Sequence, residues 1–293
     1  MLYILVNPNS GDKSGLKKAT LIKETYPQFK AKIYQTRYFN DEAHQLKRIL
    51  ESYDSHQDQL LIIGGDGTLS KTLYVLPQDI PFAYLPSGSG NDFGRGFYSF
   101  RLEKMIGALQ QQKTQTINVF QSANHLILNS LGIGFNARVI VLSENSAWKK
   151  RLNKIHLGKL TYLFLGIRSI FNQESVSVTV TDEEGMTKTL SNLFLFVLAN
   201  NAYFGGGIMI WPEASLKTNQ LDLVYLEKGN TFQNIMGLLT LVLKKHRKND
   251  RLKHQSYRTI TLNFSKPVVA QIDGEVVELS TEKFSGYQRK IYL

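Results

Sequence analysis

Cysteine is absent from the 293 residues. The chain therefore has no disulfide, no thiolate metal ligand and no thiol nucleophile, a composition that fits a cytoplasmic protein. Long apolar runs are missing as well. A spanning helix needs roughly 18 uninterrupted apolar residues, and the richest stretch, Leu193 to Trp211, is broken by Asn200, Asn201 and three glycines. The N-terminal Met-Leu-Tyr-Ile-Leu-Val-Asn-Pro lacks the basic stretch and cleavage site of a signal peptide. Any membrane contact is expected to be peripheral. Acidic residues are in short supply, with 24 Asp and Glu against 35 Lys and Arg and a formal net charge of +11. That excess favours an anionic partner such as a membrane surface, a nucleic acid or a phosphorylated ligand. No helix-turn-helix, RNA-recognition or zinc-finger signature accompanies it, so nucleic acid is not expected. His44, His56, His125, His156, His246 and His254 show no metal-ligand spacing and read as structural or surface residues.

What is present is ordinary globular material, 42% apolar and 20% charged, in a length that suits two domains. The first 120 residues alternate strands with helices. Leu2 to Val6 is an apolar run that stops at the turn-forming Asn7-Pro8-Asn9-Ser10-Gly11. A helix-like segment follows from about Leu16 to Tyr26, then a strand from Ala31 to Thr36 and a helical pattern from Asp41 to Tyr53. Gln59 to Ile63 is a strand apolar over its last four residues, as in a parallel sheet covered on both faces. It runs into Gly64-Gly65-Asp66-Gly67-Thr68, with helix expected over Leu69 to Leu76. Pro81 to Leu85 is a further strand, ending at Pro86-Ser87-Gly88-Ser89-Gly90-Asn91-Asp92. Such repetition predicts a doubly wound α/β sheet, in which ligands bind at the carboxyl ends of the strands. All three Gly- and Asn-rich loops fall at those ends.

The second half changes character. Ser175 to Thr181 alternates with Val176, Val178 and Val180 on one face, and Leu193 to Ala199 is another apolar run. Thr259 to Phe264 alternates again, and Val268 to Leu279 reads as a hairpin around Asp273-Gly274. The expectation is a nucleotide-binding domain over 1–120 and a predominantly antiparallel β domain over 121–280. The C-terminal strand, about 281–293, is a candidate to return to the first domain. Helical insertions are expected near Leu160 to Phe171 and Thr231 to Lys245.

Phosphate recognition needs dense hydrogen-bond donation at close range, and glycine lets the backbone approach. Gly64 to Thr68 offers consecutive N–H groups at a helix start, a favourable place for an anion. Asp66 in such a loop makes sense if it holds magnesium or its waters. A tight strand-to-helix turn with no ligand is the alternative. No Gly-Lys-Ser/Thr follows, so this is not a Walker A loop.

Four motifs carry a family resemblance: Asn7-Pro8-x-Ser10-Gly11, the Gly64 to Thr68 loop, Pro86-x-Gly88-Ser89-x-Asn91-Asp92-Phe93, and Asp273-Gly274-Glu275. In this order they resemble the diacylglycerol kinase family, specifically its soluble bacterial lipid kinases, which are similar to sphingosine kinases and more distantly to NAD kinases. The resemblance implies a two-domain fold and ATP and Mg2+ as cofactors. It implies transfer of the γ-phosphate to a lipid hydroxyl, with diacylglycerol giving phosphatidic acid. It assigns ATP contacts to Asn7, Pro8, Asn9, Ser10 and Gly11, to Thr36, to Gly64, Gly65, Gly67, Thr68, Leu69 and Ser70, and to Ser89. Lys13, Asp66 and Asn91 match a charged network around the phosphates and magnesium, with Asp66 reaching the metal through water. Glu275 matches the general base, although spacing alone also allows a solvated residue after a two-residue turn. Lys154 resembles a lysine near the active site.

One departure stands out. Relatives carry an acidic loop after a Pro-Asp/Glu-Ala segment that binds a structural magnesium. Here Pro212-Glu213-Ala214 is followed by Lys217-Thr218-Asn219-Gln220, with Asp222 isolated beyond it, so that second site is expected to be absent or weak. The basic segments Trp148 to Lys159 and Lys244 to Arg258 suit an anionic bilayer, as a lipid substrate requires. The alternatives are a small-molecule kinase acting on NAD or a sugar phosphate, and a non-catalytic basic membrane-binding module. Oligomeric state is left open, a homodimer included.

Overall fold

The computed structural model describes residues 1–88, 90–97, 101–134 and 176–293. They form two units, Met1–Val119 with Tyr287–Leu293, and Phe120–Gly286. The expected helix near Leu160 to Phe171, the basic segment from Trp148 and the position of Lys154 lie outside the described residues.

The first unit runs β1 (Leu2–Val6), α1 (Gly15–Thr25), β2 (Lys32–Gln35), α2 (Glu42–Leu50), β3 (Gln59–Gly64), α3 (Asp66–Val75), β4 (Phe82–Pro86), α4 (Asp92–Arg95), α5 (Leu102–Gln110) and most of β5 (Thr114–Gln121). Strands β2, β1, β3 and β4 lie side by side in that order, all parallel. Ile291, near the end of the last strand, adds on beyond β4 in parallel at Phe82. Every residue of β3 is buried. That fits its near-continuous apolar sequence, since βα crossovers cover both faces of a parallel sheet. Leu2, Ile4, Val6, Leu61 and Ile63 pack with Ala19 and Ile22 of α1 and with Met105 and Ile106 of α5. On the opposite face α2 and α3 meet β1, β3 and each other. The chain thus leaves β1 in one direction for β2 and, from β3, in the other for β4. The switch point between β1 and β3 is where open sheets of this kind bind ligands.

Helix α3 begins at Asp66, three residues before the expected start. Gly65 is extended and caps it, and the first helical hydrogen bond runs from the Leu69 N–H to the Gly65 carbonyl. Gly67 and Thr68 therefore belong to the first helical turn rather than to a loop. Helix α5 was not expected from the sequence, yet it buries Met105, Ile106, Ala108 and Leu109.

The second unit is antiparallel β, with β6 (Leu126–Ile127), β7 (Ser130–Gly134), β8 (Val176–Thr181), β9 (Thr187–Ala199), β10 (Tyr203–Phe204), β11 (Ile208–Met209) and β12 (Leu221–Glu227). Helix α6 (Thr231–Val242), β13 (Lys253–Tyr257), β14 (Thr259–Ile272) and β15 (Glu275–Tyr292) follow. Strand β9 pairs with β7, β8 and β12, and β14 with β7, β8 and β15. From Leu193 to Ala199, β9 is buried on both faces. Phe196 and Leu198 enter one core with Leu131, Ile133 and Leu262, while Leu195 and Val197 enter another with Val224 and Leu241. The two apolar runs around Pro267 prove to be one strand, β14, whose pairing shifts between Asn263 and Val268. A proline has no N–H to give a ladder, and such an irregularity accommodates it.

Candidate nucleotide site and the Glu275 turn

Side-chain and backbone contacts draw the three glycine loops of the first unit together at the carboxyl ends of β1, β3 and β4. Asn7 joins the first to the second, its Nδ2 donating to Thr68 Oγ1 at 3.0 Å. Its Oδ1 accepts the Asn9 N–H at 3.0 Å, closing the turn around Pro8. The first and third loops meet at Ser10 and Ser87, whose hydroxyl oxygens are 2.6 Å apart. Gly11, in the left-handed region at φ 53°, lies against the backbone of Ser87 and Gly88. The second and third loops touch backbone to backbone: a Cβ added to Gly88 would fall 2.6 Å from the Gly65 Cα. Only glycines at these positions allow the three loops to approach so closely.

Asp66 ties the second loop to the third. Its Oδ1 accepts the Phe93 N–H at 2.9 Å and its Oδ2 the Asp92 N–H at 3.1 Å. The carboxylate is thus drawn toward the start of α4, away from its own helix axis. Each oxygen accepts one of these amides, and a carboxylate is an acceptor only, the character a magnesium ion or its waters require. Among the described residues no group of three His, Cys, Asp or Glu could hold a metal ion. A single carboxylate of this kind suits magnesium bound chiefly through waters and substrate phosphates. Asn91 caps α4 from the left-handed region at φ 52°, with its Oδ1 buried and accepting no hydrogen bond among the described residues.

The remaining predicted residues are placed as follows. Thr36 is buried directly after β2, its N–H bonded to the Val6 carbonyl. Leu69 is fully buried, so its side chain belongs to the core. Ser70 is half-buried on α3. Lys13 is exposed, at φ 61° in the loop after Gly11. Ser89 lies outside the described residues. Two contributors were missed. Lys18 of α1 donates from Nζ to the Pro86 carbonyl at 2.9 Å, fixing the third loop from below. Tyr84 does the same for the second, its hydroxyl donating to the Gly64 carbonyl at 3.1 Å, with burial raising its pKa well above the usual tyrosine value.

In the second unit, Asp273 and Gly274 both have positive φ, 50° and 91°, and link β14 to β15 in the manner of a two-residue hairpin. Asp273 is more than a turn former. Its carboxylate accepts the N–H groups of Leu128 at 2.8 Å, Asn129 at 2.7 Å and Ser130 at 3.0 Å. Buried Asn200 and Asn201 bond to the same 128–129 segment. Replacing Asp273 by asparagine turns one acceptor into a donor facing an amide, and is expected to cost about 1.5–3 kcal/mol. A urea midpoint unchanged from wild type would show that these amides do not depend on the carboxylate. Glu275 follows the turn, half-buried and paired with Ile272. It shares a strand face with Val277 and Leu279, which pack on the core, whereas Val276 and Glu278 are exposed. A solvated strand residue would sit in the outer row; Glu275 occupies the inner one.

Residues 1–122 match the family described as the diacylglycerol kinase catalytic domain. Residues 129–284 match the YegS C-terminal NAD kinase beta sandwich-like domain. The chain belongs to the diacylglycerol kinase family. A diacylglycerol kinase of Staphylococcus epidermidis is 24% identical over 280 residues, covering 93% of this chain and 84% of its own. A solved diacylglycerol kinase from Bacillus anthracis superposes with a TM-score of 0.68 at 15% identity, over 99% of this chain and 96% of its own. An NAD kinase from Archaeoglobus fulgidus in complex with ATP superposes with a TM-score of 0.53 at 13% identity, over 100% and 94%. At such identities the two structures speak for the fold alone, an α/β unit joined to a β-rich one.

This diacylglycerol kinase family member differs at the segment where carboxylates were expected. Thr218 bonds back to the Ser215 carbonyl and the Lys217 N–H to the Ser215 hydroxyl, so the loop closes on itself. Asp222 takes partners of another kind: its Oδ1 lies 2.7 Å from His254 Nε2 and accepts the Ser256 hydroxyl at 2.7 Å. The His254 ring in turn stacks on Trp211 at 3.9 Å. These partners lie far away in sequence, on β13, where no local pattern reveals them.

Proposed function

We propose that this chain is an ATP-dependent lipid kinase that transfers the γ-phosphate of ATP to a lipid hydroxyl, with diacylglycerol giving phosphatidic acid. The observation that carries this reading is the convergence of three glycine loops at the sheet's switch point in a member of this family. Gly65, Gly67 and Thr68, with the Asn7 to Gly11 turn, are the groups that would receive the triphosphate. Asp66 would hold magnesium through water, and Lys13 and Asn91 would complete the charged network. Bound magnesium would neutralise charge developing on the transferred phosphoryl group. Glu275 would accept the proton of the attacking hydroxyl. The test is transfer of labelled γ-phosphate to diacylglycerol in mixed micelles, comparing wild type with Asp66→Ala and Glu275→Gln. Phosphatidic acid formed by wild type and lost in both variants is expected. ATP binding without a lipid product would overturn the substrate, and a screen with NAD and other lipids would then find another; no ATP binding would overturn the kinase.

A lipid substrate requires a surface that meets the bilayer, and α6 supports one. Its first turn is fixed by a capping box between Asn230 and Gln233, yet Phe232 is 72% and Met236 45% exposed, and Val242 and Leu243 are exposed beyond them. Lys244, Lys245, Arg247 and Lys248 follow, all exposed, whereas His246 within them is buried. An apolar stripe beside a basic cluster is the pattern of a helix lying in an anionic interface. No helix among the described residues is long and apolar enough to cross a membrane. Phe232→Glu with Met236→Glu is expected to weaken sedimentation with phosphatidylglycerol vesicles at least tenfold, since inserting each side chain contributes about 1.5–3 kcal/mol. Retained sedimentation would remove α6 from the interface.

A further inference from the structure

We propose that a cavity beside strand β2 is a second anion site, taking a ligand with two or more phosphate groups. This goes beyond the kinase reading and does not depend on it. Among the described residues β2 pairs only with β1, which makes it an edge of the sheet. The cavity, of about 470 Å³, lies along that strand. Its walls carry Lys23 from α1, Lys32 from β2, Arg37 just after β2, and Arg48 from α2, with no carboxylate among them. All four residues are exposed, and together they give the hollow a positive field that an anion would neutralise.

Lysines on an edge strand can serve only to prevent pairing with another strand, but here the cations have internal support. The Arg48 guanidinium stacks over Tyr34 at 5.5 Å and donates to Gln45 Oε1 at 3.0 Å. Gln45 is only 1% exposed, and its Nε2 donates to Asp41 Oδ2 at 2.9 Å. The same Asp41 oxygen accepts the Arg37 N–H at 2.8 Å. Asp41 is wholly buried and does not line the cavity. It orders the backbone at Arg37 and, through Gln45, the head of Arg48. A planar guanidinium held in this way suits bidentate recognition of phosphate oxygens. The space exceeds what one phosphate needs and falls within the range of small-molecule pockets. The glycine loops, by contrast, follow β1, β3 and β4.

The experiment is calorimetric titration of the full chain with inorganic tripolyphosphate, first alone and then with a non-hydrolysable ATP analogue and magnesium present at saturation. Binding that persists beside the analogue, and weakens at least tenfold in Arg37→Gln/Arg48→Gln, is expected. Because Arg48 leans on a buried partner, Lys23→Gln/Lys32→Gln serves as a second variant that leaves the Asp41 network untouched. If the analogue itself fails to bind but tripolyphosphate still responds to both variants, the kinase reading falls and this one stands. Phosphatidylglycerol vesicles distinguish the source of the phosphate: parallel loss of vesicle binding in both variants identifies lipid headgroups, and unchanged vesicle binding a free phosphorylated compound. Competition by the analogue, or tripolyphosphate binding equal in wild type and both variants, overturns the proposal.

Discussion

Glu275→Gln is expected to slow phosphoryl transfer by about 10²–10⁴-fold, the usual contribution of a general base, while ATP binding and thermal unfolding stay as in wild type. The substitution preserves size and shape, and the turn that positions residue 275 is built by Asp273 and Gly274, which it leaves intact. The expected effect therefore lies on the chemical step. The position makes the proposal specific. Along β15 the inner row runs Glu275, Val277, Leu279, so this carboxylate lies on the core-facing side of the strand and the exposed Glu278 on the other. Single-turnover transfer from labelled ATP to diacylglycerol separates this from a binding defect, because it reads the step after both substrates are bound. A glutamine variant as fast as wild type would leave Glu275 without a proton-accepting role, and the base would have to be sought elsewhere.

Much of the architecture is legible in the sequence because its signals are local. The apolar runs of β1 and β3 are buried on both faces of the sheet, and each ends in residues that break strands. The clustering of the three loops follows from that alternation, since parallel strands bring their carboxyl ends to the same side. What the sequence hid depends on distant partners. Asp66 suggested a metal ligand, and the amides of Asp92 and Phe93 that its carboxylate accepts lie 26 and 27 positions on. Asp273 suggested a turn, and its three amide partners precede it by more than 140 positions. Lys18 is one of two adjacent lysines in α1, and nothing local singles it out for the Pro86 carbonyl. The start of α3 was misjudged for a different reason. Glycine is a poor helix former, yet Gly67 lies in the first turn of α3.

The largest effect on the candidate nucleotide site is expected from one methyl group. Gly11→Ala should destabilise the first unit by about 2–5 kcal/mol and abolish ATP binding, combining overpacking with the cost of a left-handed backbone for a residue with a Cβ. The added Cβ would fall 2.0 Å from the Ser87 carbonyl oxygen and 2.9 Å from two backbone atoms of Gly88. None of these is the flexible end of a side chain, so relief requires the first and third loops to part. Parting them breaks the Ser10–Ser87 contact and moves Gly88 from Gly65, the contact that brings the third loop onto the second. Gly107→Ala supplies the control. A Cβ there meets nothing within 4 Å, and the position lies inside α5. Alanine favours the helix over glycine by about 0.5–1 kcal/mol, so this variant should be more stable than wild type and bind ATP unchanged. Denaturant unfolding should therefore move in opposite directions in the two variants, while nucleotide titration changes in Gly11→Ala alone. If Gly11→Ala unfolds and binds ATP like wild type, the close approach of the loops is not what makes the site, and the convergence that supports a kinase loses its force.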